Sequence, residues 1–205
     1  MRPSNVRGAA ATAPISTALI VLNVVVFGAI NLDARLFDVV SLPPNWEGVA
    51  AQPWTLLTVF FSTQVLVHIA GTVLIIGLFG PRIERFAGSA HLLGVYLLAG
   101  LAGSLALLAT AEATGFDARS VGPSAAFLGL VGALAALPRR AWGDGLPLDK
   151  VVIVLLVAQL APVMGIGDWV SSAAHTAGLA VGVGYGYLLR SRSVVEVPDA
   201  SASSP

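Results

Sequence analysis

Long apolar runs, half of them closed by arginine, leave this chain few ways to fold. Apolar segments cover residues 14–32, 66–79, 91–110, 121–137, 151–165 and 169–189. They run continuously instead of alternating with polar positions, which is how segments surrounded by lipid read. Three of them stop at Gly80-Pro81-Arg82, Pro138-Arg139-Arg140 and Arg190-Ser191-Arg192. Only 11% of the residues are charged, against about a quarter in ordinary soluble domains. The expectation is an all-α polytopic membrane protein with six transmembrane helices. The formal net charge is zero, so no global field draws nucleic acid or an acidic partner. Cysteine is absent, which removes disulfides, thiol catalysis and cysteine metal sites.

The runs divide the chain into a tail at residues 1–13, a membrane domain at 14–190 and a second tail at 191–205. A basic start before an apolar run also fits a signal peptide. The length of the run and the lack of an A-x-A site after it argue against that. Residues 33–52 read as a polar loop with Pro43, Pro44 and Trp46. Residues 53–67 read as an interfacial segment anchored by Trp54. Pro162 is expected to kink the fifth span. With the N-terminus inside, the inner segments hold Arg2, Arg7, Arg82, Arg85, Arg139, Arg140, Lys150, Arg190 and Arg192, and the outer loops only Arg35 and Arg119. That asymmetry orients the chain N-in and C-in. One lysine beside ten arginines, with abundant Ala and Gly, goes with a GC-rich genome. The expected location is a bacterial plasma membrane.

The arginine stops also serve as a depth ruler. His68 precedes Arg82 by fourteen residues, while Ser124 precedes Arg139 and His175 precedes Arg190 by fifteen. At 1.5 Å per residue each lies about 21–22 Å from the inner boundary. In a hydrocarbon core about 30 Å thick, all three sit roughly 8 Å below the outer surface. The spans that carry them, the second, fourth and sixth, run in the same direction. Ionisable groups inside apolar helices are costly and tend to be functional. His91, at the inner end of the third span, reads as an ordinary interfacial residue.

Glycine spacing suggests how these spans meet. Gly178, Gly182 and Gly186 recur every four residues on the face near His175, and the fourth span offers Gly129 and Gly132. Small residues at such spacing let helix backbones approach closely in lipid. If the two faces meet, Ser124 and His175 come within hydrogen-bond reach. Read alone, Ser124 behind Gly122-Pro123 is a helix cap, and the glycines are packing residues. Read together, a serine hydroxyl beside a neutral imidazole is an activated nucleophile. No acid is placed to orient the histidine, since Asp168 lies about two turns away. The expectation is therefore a Ser–His dyad. The oxyanion needs donors. Candidates are the Ser124 backbone N–H, His68, and the hydroxyl of Thr72, one turn along from His68.

These stretches resemble the rhomboid intramembrane serine proteases. Gly122-Pro123-Ser124-Ala125 is similar to the family's G-x-S-x, and Ala174-His175-Thr176-Ala177-Gly178 to its A-H-x-x-G. His68 followed by Gly80 and Glu84 resembles the second-helix pattern. Tyr96 to Ser104 resembles the third helix, and Leu22-Asn23-Val24 the first. The likeness covers roughly residues 15–189. Where the family usually has Asn, this chain has Thr72. It has Trp54-Thr55 for the family's Trp-Arg, Leu128 for an aromatic residue, and Ala125 for Gly. The resemblance implies a six-helix rhomboid core, a Ser124–His175 dyad and an oxyanion site including His68. It implies cleavage of other membrane proteins near the outer ends of their transmembrane helices, in the bilayer, without metal or cofactor.

Two other functions fit an apolar helical chain. One is a catalytically weak or silent protein of the same fold that binds membrane helices. Ser124 and His175 at one depth argue for the protease instead. The other is a small transporter, which would want mid-membrane charges or an inverted repeat; neither is present. The fifth span, with Pro162 and Gly165-Ile166-Gly167, is the expected mobile element for substrate access.

Overall fold

The computed structural model describes residues 13–143 and 168–195, with side chains to 191. The expected fifth span, its Pro162 kink and the proposed access element lie outside the described residues, as do 1–12 and 196–205. The elements are α1 (Pro14–Leu32), α2 (Arg35–Val40), α3 (Trp46–Ala51) and α4 (Thr55–Thr58). A 3-10 turn at Val59–Phe61 follows, then α5 (Leu66–Ala87), α6 (Ser89–Thr114) and α7 (Ser124–Ala136). After a 3-10 turn at Arg139–Ala141 comes α8 (Trp169–Val195). The described residues form no sheet; one antiparallel bridge pairs Leu42 with Ser120.

Among the described residues three helices, α1, α5 and α6, are long and apolar enough to cross a membrane. The apolar helix α7, at 13 residues, rises only about 20 Å, less than the hydrocarbon thickness of about 30 Å. Val25, Leu32, Leu66, Val67 and Leu74 are exposed, as expected of side chains that face lipid.

The helices run further than the arginine stops imply. α5 continues through Pro81 to Ala87, although proline removes one backbone donor. Arg82 explains part of this, since its guanidinium donates back to the Leu78 carbonyl and across to the Trp142 carbonyl at 2.7 Å. α8 likewise passes Arg190. Arginine can extend its charged head from an apolar surface into water, so it ends the lipid-facing stretch and not the helix. The expected polar loop at 33–52 contains α2 and α3. Asn45 starts α3 by accepting the Gly48 N–H at 2.8 Å, a standard side-chain cap.

Two joints hold the bundle. At one, Glu84 of α5 accepts the N–H groups of Ile15 and Ser16 (both 2.9 Å) and the hydroxyls of Ser16 and Ser89 (both 2.7 Å). A carboxylate there satisfies free N–H groups at the start of α1 and complements its positive end. Gly80 makes room, because a β-carbon on it would stand 2.7 Å from Ser16 Oγ. The other joint is the α6–α7–α8 seam, built on backbone contact. A β-carbon on Gly178 would collide with the Ala125 carbonyl, one on Gly182 with the Gly129 carbonyl, and one on Gly132 would stand 2.5 Å from the Leu179 carbonyl. Gly129 and Gly103 instead make room for alanine methyl groups, those of Ala99 and Ala125. Between the joints lies a core including Ile76, Phe79, Ile83, Leu92, Tyr96, Leu130 and Leu134.

Candidate active site

Ser124 opens α7 behind a turn that only glycine suits. Gly122 has φ +144°, and a β-carbon on it would lie 2.7 Å from His68 Cε1. Its N–H donates to the Val59 carbonyl at 3.1 Å, so Gly122 is bound to the 3-10 turn before α5. Pro123 supplies the cap position with no side-chain cap bond. The first N–H groups of a helix have no intrahelical acceptor, and here the first to bond back is Phe127, to the Pro123 carbonyl at 2.9 Å.

The Ser124 hydroxyl is not used as a helix cap. Its Oγ lies 2.8 Å from His175 Nε2, across the Gly178–Ala125 contact. Both side chains are half-buried. The geometry follows from the seam. Were Gly178 and Gly182 larger, α7 and α8 would stand further apart and the pair would open. Asp168 does not reach His175. Its carboxylate caps α8, accepting the Ser171 N–H at 2.6 Å and the Ser171 hydroxyl at 2.9 Å.

His68, in the first turn of α5, lies beside the same loop, its ring against Gly122 with Nε2 3.5 Å from the ideal β-carbon position. The structure thus brings Ser124, His175 and His68 to one end of the bundle. It does not bring the Thr72 hydroxyl there. Thr72 is fully buried, and its Oγ1 donates to the His68 carbonyl at 2.9 Å. A hydroxyl has a single proton to donate, and the carbonyl four residues back is always in reach of a helical threonine. In this structure the Thr72 proton is engaged within α5, so the oxyanion role expected of Thr72 would require it to leave the His68 carbonyl.

A cavity of about 270 Å³ opens beside the pair. Val59, Phe60, Gly103, Phe116 and Ala174 contribute to its walls, and Ser124 and His175 face it. Gly100, also in its lining, packs against the Phe60 ring, where a β-carbon would stand 2.7 Å from ring atoms. Behind Phe60 runs a buried chain of bonds. Asn23 Nδ2 donates to Tyr96 Oη at 3.2 Å, and the Tyr96 hydroxyl donates to the Phe60 carbonyl at 2.9 Å. Sequence reasoning noted Asn23 and Tyr96 only as parts of a resemblance and missed this support. No spacing rule links residues 23, 60 and 96. His91, expected to be an interfacial residue, hydrogen-bonds the Tyr185 hydroxyl at 3.0 Å and ties α6 to α8.

A helical membrane bundle with a serine held against a histidine narrows the possible families, and comparison with known proteins decides among them. The model of the rhomboid domain matches residues 50–192, and the chain belongs to the rhomboid family. It is similar to two proteins of Arabidopsis thaliana. With RHOMBOID-like protein 6, mitochondrial, it shares 26% identity over 148 residues, covering 71% of this chain and 47% of that protein. With RHOMBOID-like protein 7 it shares 30% over 140 residues, covering 67% and 43%. The chain thus spans just under half the length of these relatives. One of them carries "mitochondrial" in its name, so the relatives lend no support to a bacterial plasma membrane.

Proposed function

We propose that this protein is an intramembrane serine endopeptidase that cuts transmembrane helices of other membrane proteins near the outer face. The observation that carries the proposal is the 2.8 Å contact between Ser124 Oγ and His175 Nε2, in a chain of the rhomboid family. The six-span, N-in and C-in arrangement belongs to the same proposal. It rests on the arginine asymmetry and places the Ser124 end outward.

The substrate helix reaches the site laterally and unwinds locally. His175 Nε2 accepts the proton of Ser124 Oγ as the oxygen attacks the scissile carbonyl. The tetrahedral oxyanion is held by the Ser124 N–H at the start of α7 and by His68, donors aimed where charge develops. Collapse breaks the C–N bond, and His175 returns the proton to the leaving amine. Water then attacks the acyl-enzyme, with His175 taking its proton and delivering it to Ser124 Oγ as the ester breaks. No acid among the described residues partners His175, since Asp168 is engaged as a helix cap.

The test is purified protein reconstituted with a reporter transmembrane substrate. The wild type is expected to cleave it. Ser124→Ala and His175→Ala should each reduce the rate by at least about a thousandfold. A wild type that binds the substrate helix without cutting it would identify instead the silent helix-binding protein of the same fold.

A further inference from the structure

Arg119 lies in the segment between α6 and α7, five residues before Ser124, and all four acceptors of its hydrogen bonds come from one stretch of chain. Its Nε donates to Ser41 Oγ at 2.8 Å. One terminal nitrogen donates to the Asp38 carbonyl at 2.6 Å, the Ser41 carbonyl at 3.1 Å and Gln52 Oε1 at 2.5 Å. The Asp38 carboxylate stands 3.9 Å away. The next residue joins the same stretch through backbone, Leu42 N–H to the Ser120 carbonyl at 2.8 Å and Ser120 N–H to the Leu42 carbonyl at 2.9 Å. Two residues on, Gly122 bonds to Val59. Three successive anchors therefore attach residues 119–122 to the segment between α1 and α5. Only the first is a side chain, and only the first carries charge. A planar guanidinium with five donors suits such a convergent set of acceptors, whereas an ammonium does not. Arg119 also borders the cavity beside Ser124.

We propose that Arg119 is a positioning residue that clamps the loop leading into Ser124 and so holds the nucleophile in register with His175 and His68. The catalytic part of this inference rests on the protease reading; the clamp itself does not. Loss of the fork leaves only the Leu42–Ser120 pair and the Gly122–Val59 bond to hold the loop, and the segment entering Ser120 gains freedom that is passed on toward Ser124. The reacting oxygen is displaced only slightly, but a shift of about 1 Å in a reacting group can lower the rate by about a hundredfold.

The test compares wild type, Arg119→Gln, Arg119→Lys and, as a milder cut, Gln52→Ala, each shown to be folded by its helical circular dichroism and thermal transition. Two readouts are taken. Hydrogen exchange of the peptide containing Ser120 to Ser124 needs no activity. It should speed up by about tenfold or more in Arg119→Gln, and less in Arg119→Lys and Gln52→Ala. Labelling by a serine-reactive fluorophosphonate should slow by about 10- to 100-fold in Arg119→Gln while the final labelled fraction stays that of wild type, with the maximal inactivation rate reduced and the half-saturating probe concentration unchanged. A variant that is merely less folded lowers the final fraction instead. Unchanged exchange in Arg119→Gln overturns the clamp. Faster exchange with an unchanged labelling rate overturns its role in positioning Ser124. A wild type that is not labelled at all defeats the protease reading, and the exchange data then still decide the clamp.

Discussion

The two joints of the bundle use opposite chemistry. At the α1–α5 joint one carboxylate, Glu84, gathers four donors from the starts of two helices. At the α7–α8 seam the closest contacts are glycines against carbonyls. The first joint is directional and tolerates distance only within hydrogen-bond range. The second depends on the absence of side chains and on dispersion over a long stripe, the means by which helices associate in lipid without a hydrophobic driving force between them. The Ser124–His175 pair sits on the second. That makes physical sense: backbone contact leaves no side-chain rotamer freedom between α7 and α8, so the Ser124–His175 separation is set by the rigid parts of the chain.

Enlarging the seam should have the greatest effect. Gly182→Leu places a side chain where the Gly129 carbonyl stands, and should lower bundle stability by more than about 3 kcal/mol. Thermal unfolding in detergent followed by circular dichroism reads this out. Gly184, on the same helix, is the control, because nothing stands within 4 Å of its β-carbon position. Gly184→Ala should be neutral or slightly stabilising, by up to about 1 kcal/mol, through helix propensity. Equal damage at 182 and 184 would mean that helix chemistry, not the seam, controls stability.

Next in size is the polar joint. Glu84→Ala strands the donors of Ile15 and Ser16 and should cost about 2 kcal/mol, while Glu84→Gln, which keeps an acceptor, should cost less. Since this joint is far from Ser124 along α5, cleavage by the folded fraction should be nearly unchanged. A loss of activity that exceeds the loss of folded protein would show that the two joints are coupled.

The smallest effect is expected at Thr72. Its hydroxyl bonds to its own helix, so Thr72→Val should leave kcat within about twofold of wild type. A larger drop would return Thr72 to the oxyanion site.

The same contrast explains what could be seen in the sequence. Glycines every four residues beside His175 are a periodic signal, and periodicity survives without coordinates. So does the depth ruler, because helical rise is constant. Ser124 and His175 could therefore be paired from spacing alone. Glu84 and Arg119 carry no such signal. Glu84 entered only as part of the second-helix resemblance, yet its partners are at residues 15, 16 and 89. Arg119 read as one of two outer arginines, yet its acceptors are at 38, 41 and 52. These bonds join segments far apart in the chain, and nothing in either segment specifies the other. Thr72 differs from both. Spacing put it on the right face one turn from His68, but a local acceptor competes with any distant role for a helical hydroxyl. The helix ends were misjudged because Pro81 and Arg190 mark the end of the apolar stretch, and the helices continue into the polar region.

The central claim is that His175 activates Ser124. Reaction of the wild type and of His175→Ala with a fluorophosphonate, followed by mass analysis of the peptide containing Ser124, tests it most directly. A single phosphonyl adduct on Ser124 in the wild type, lost or slowed by at least about a thousandfold in His175→Ala, is the predicted result. An unmodified wild-type Ser124, or equal labelling in both proteins, would contradict it.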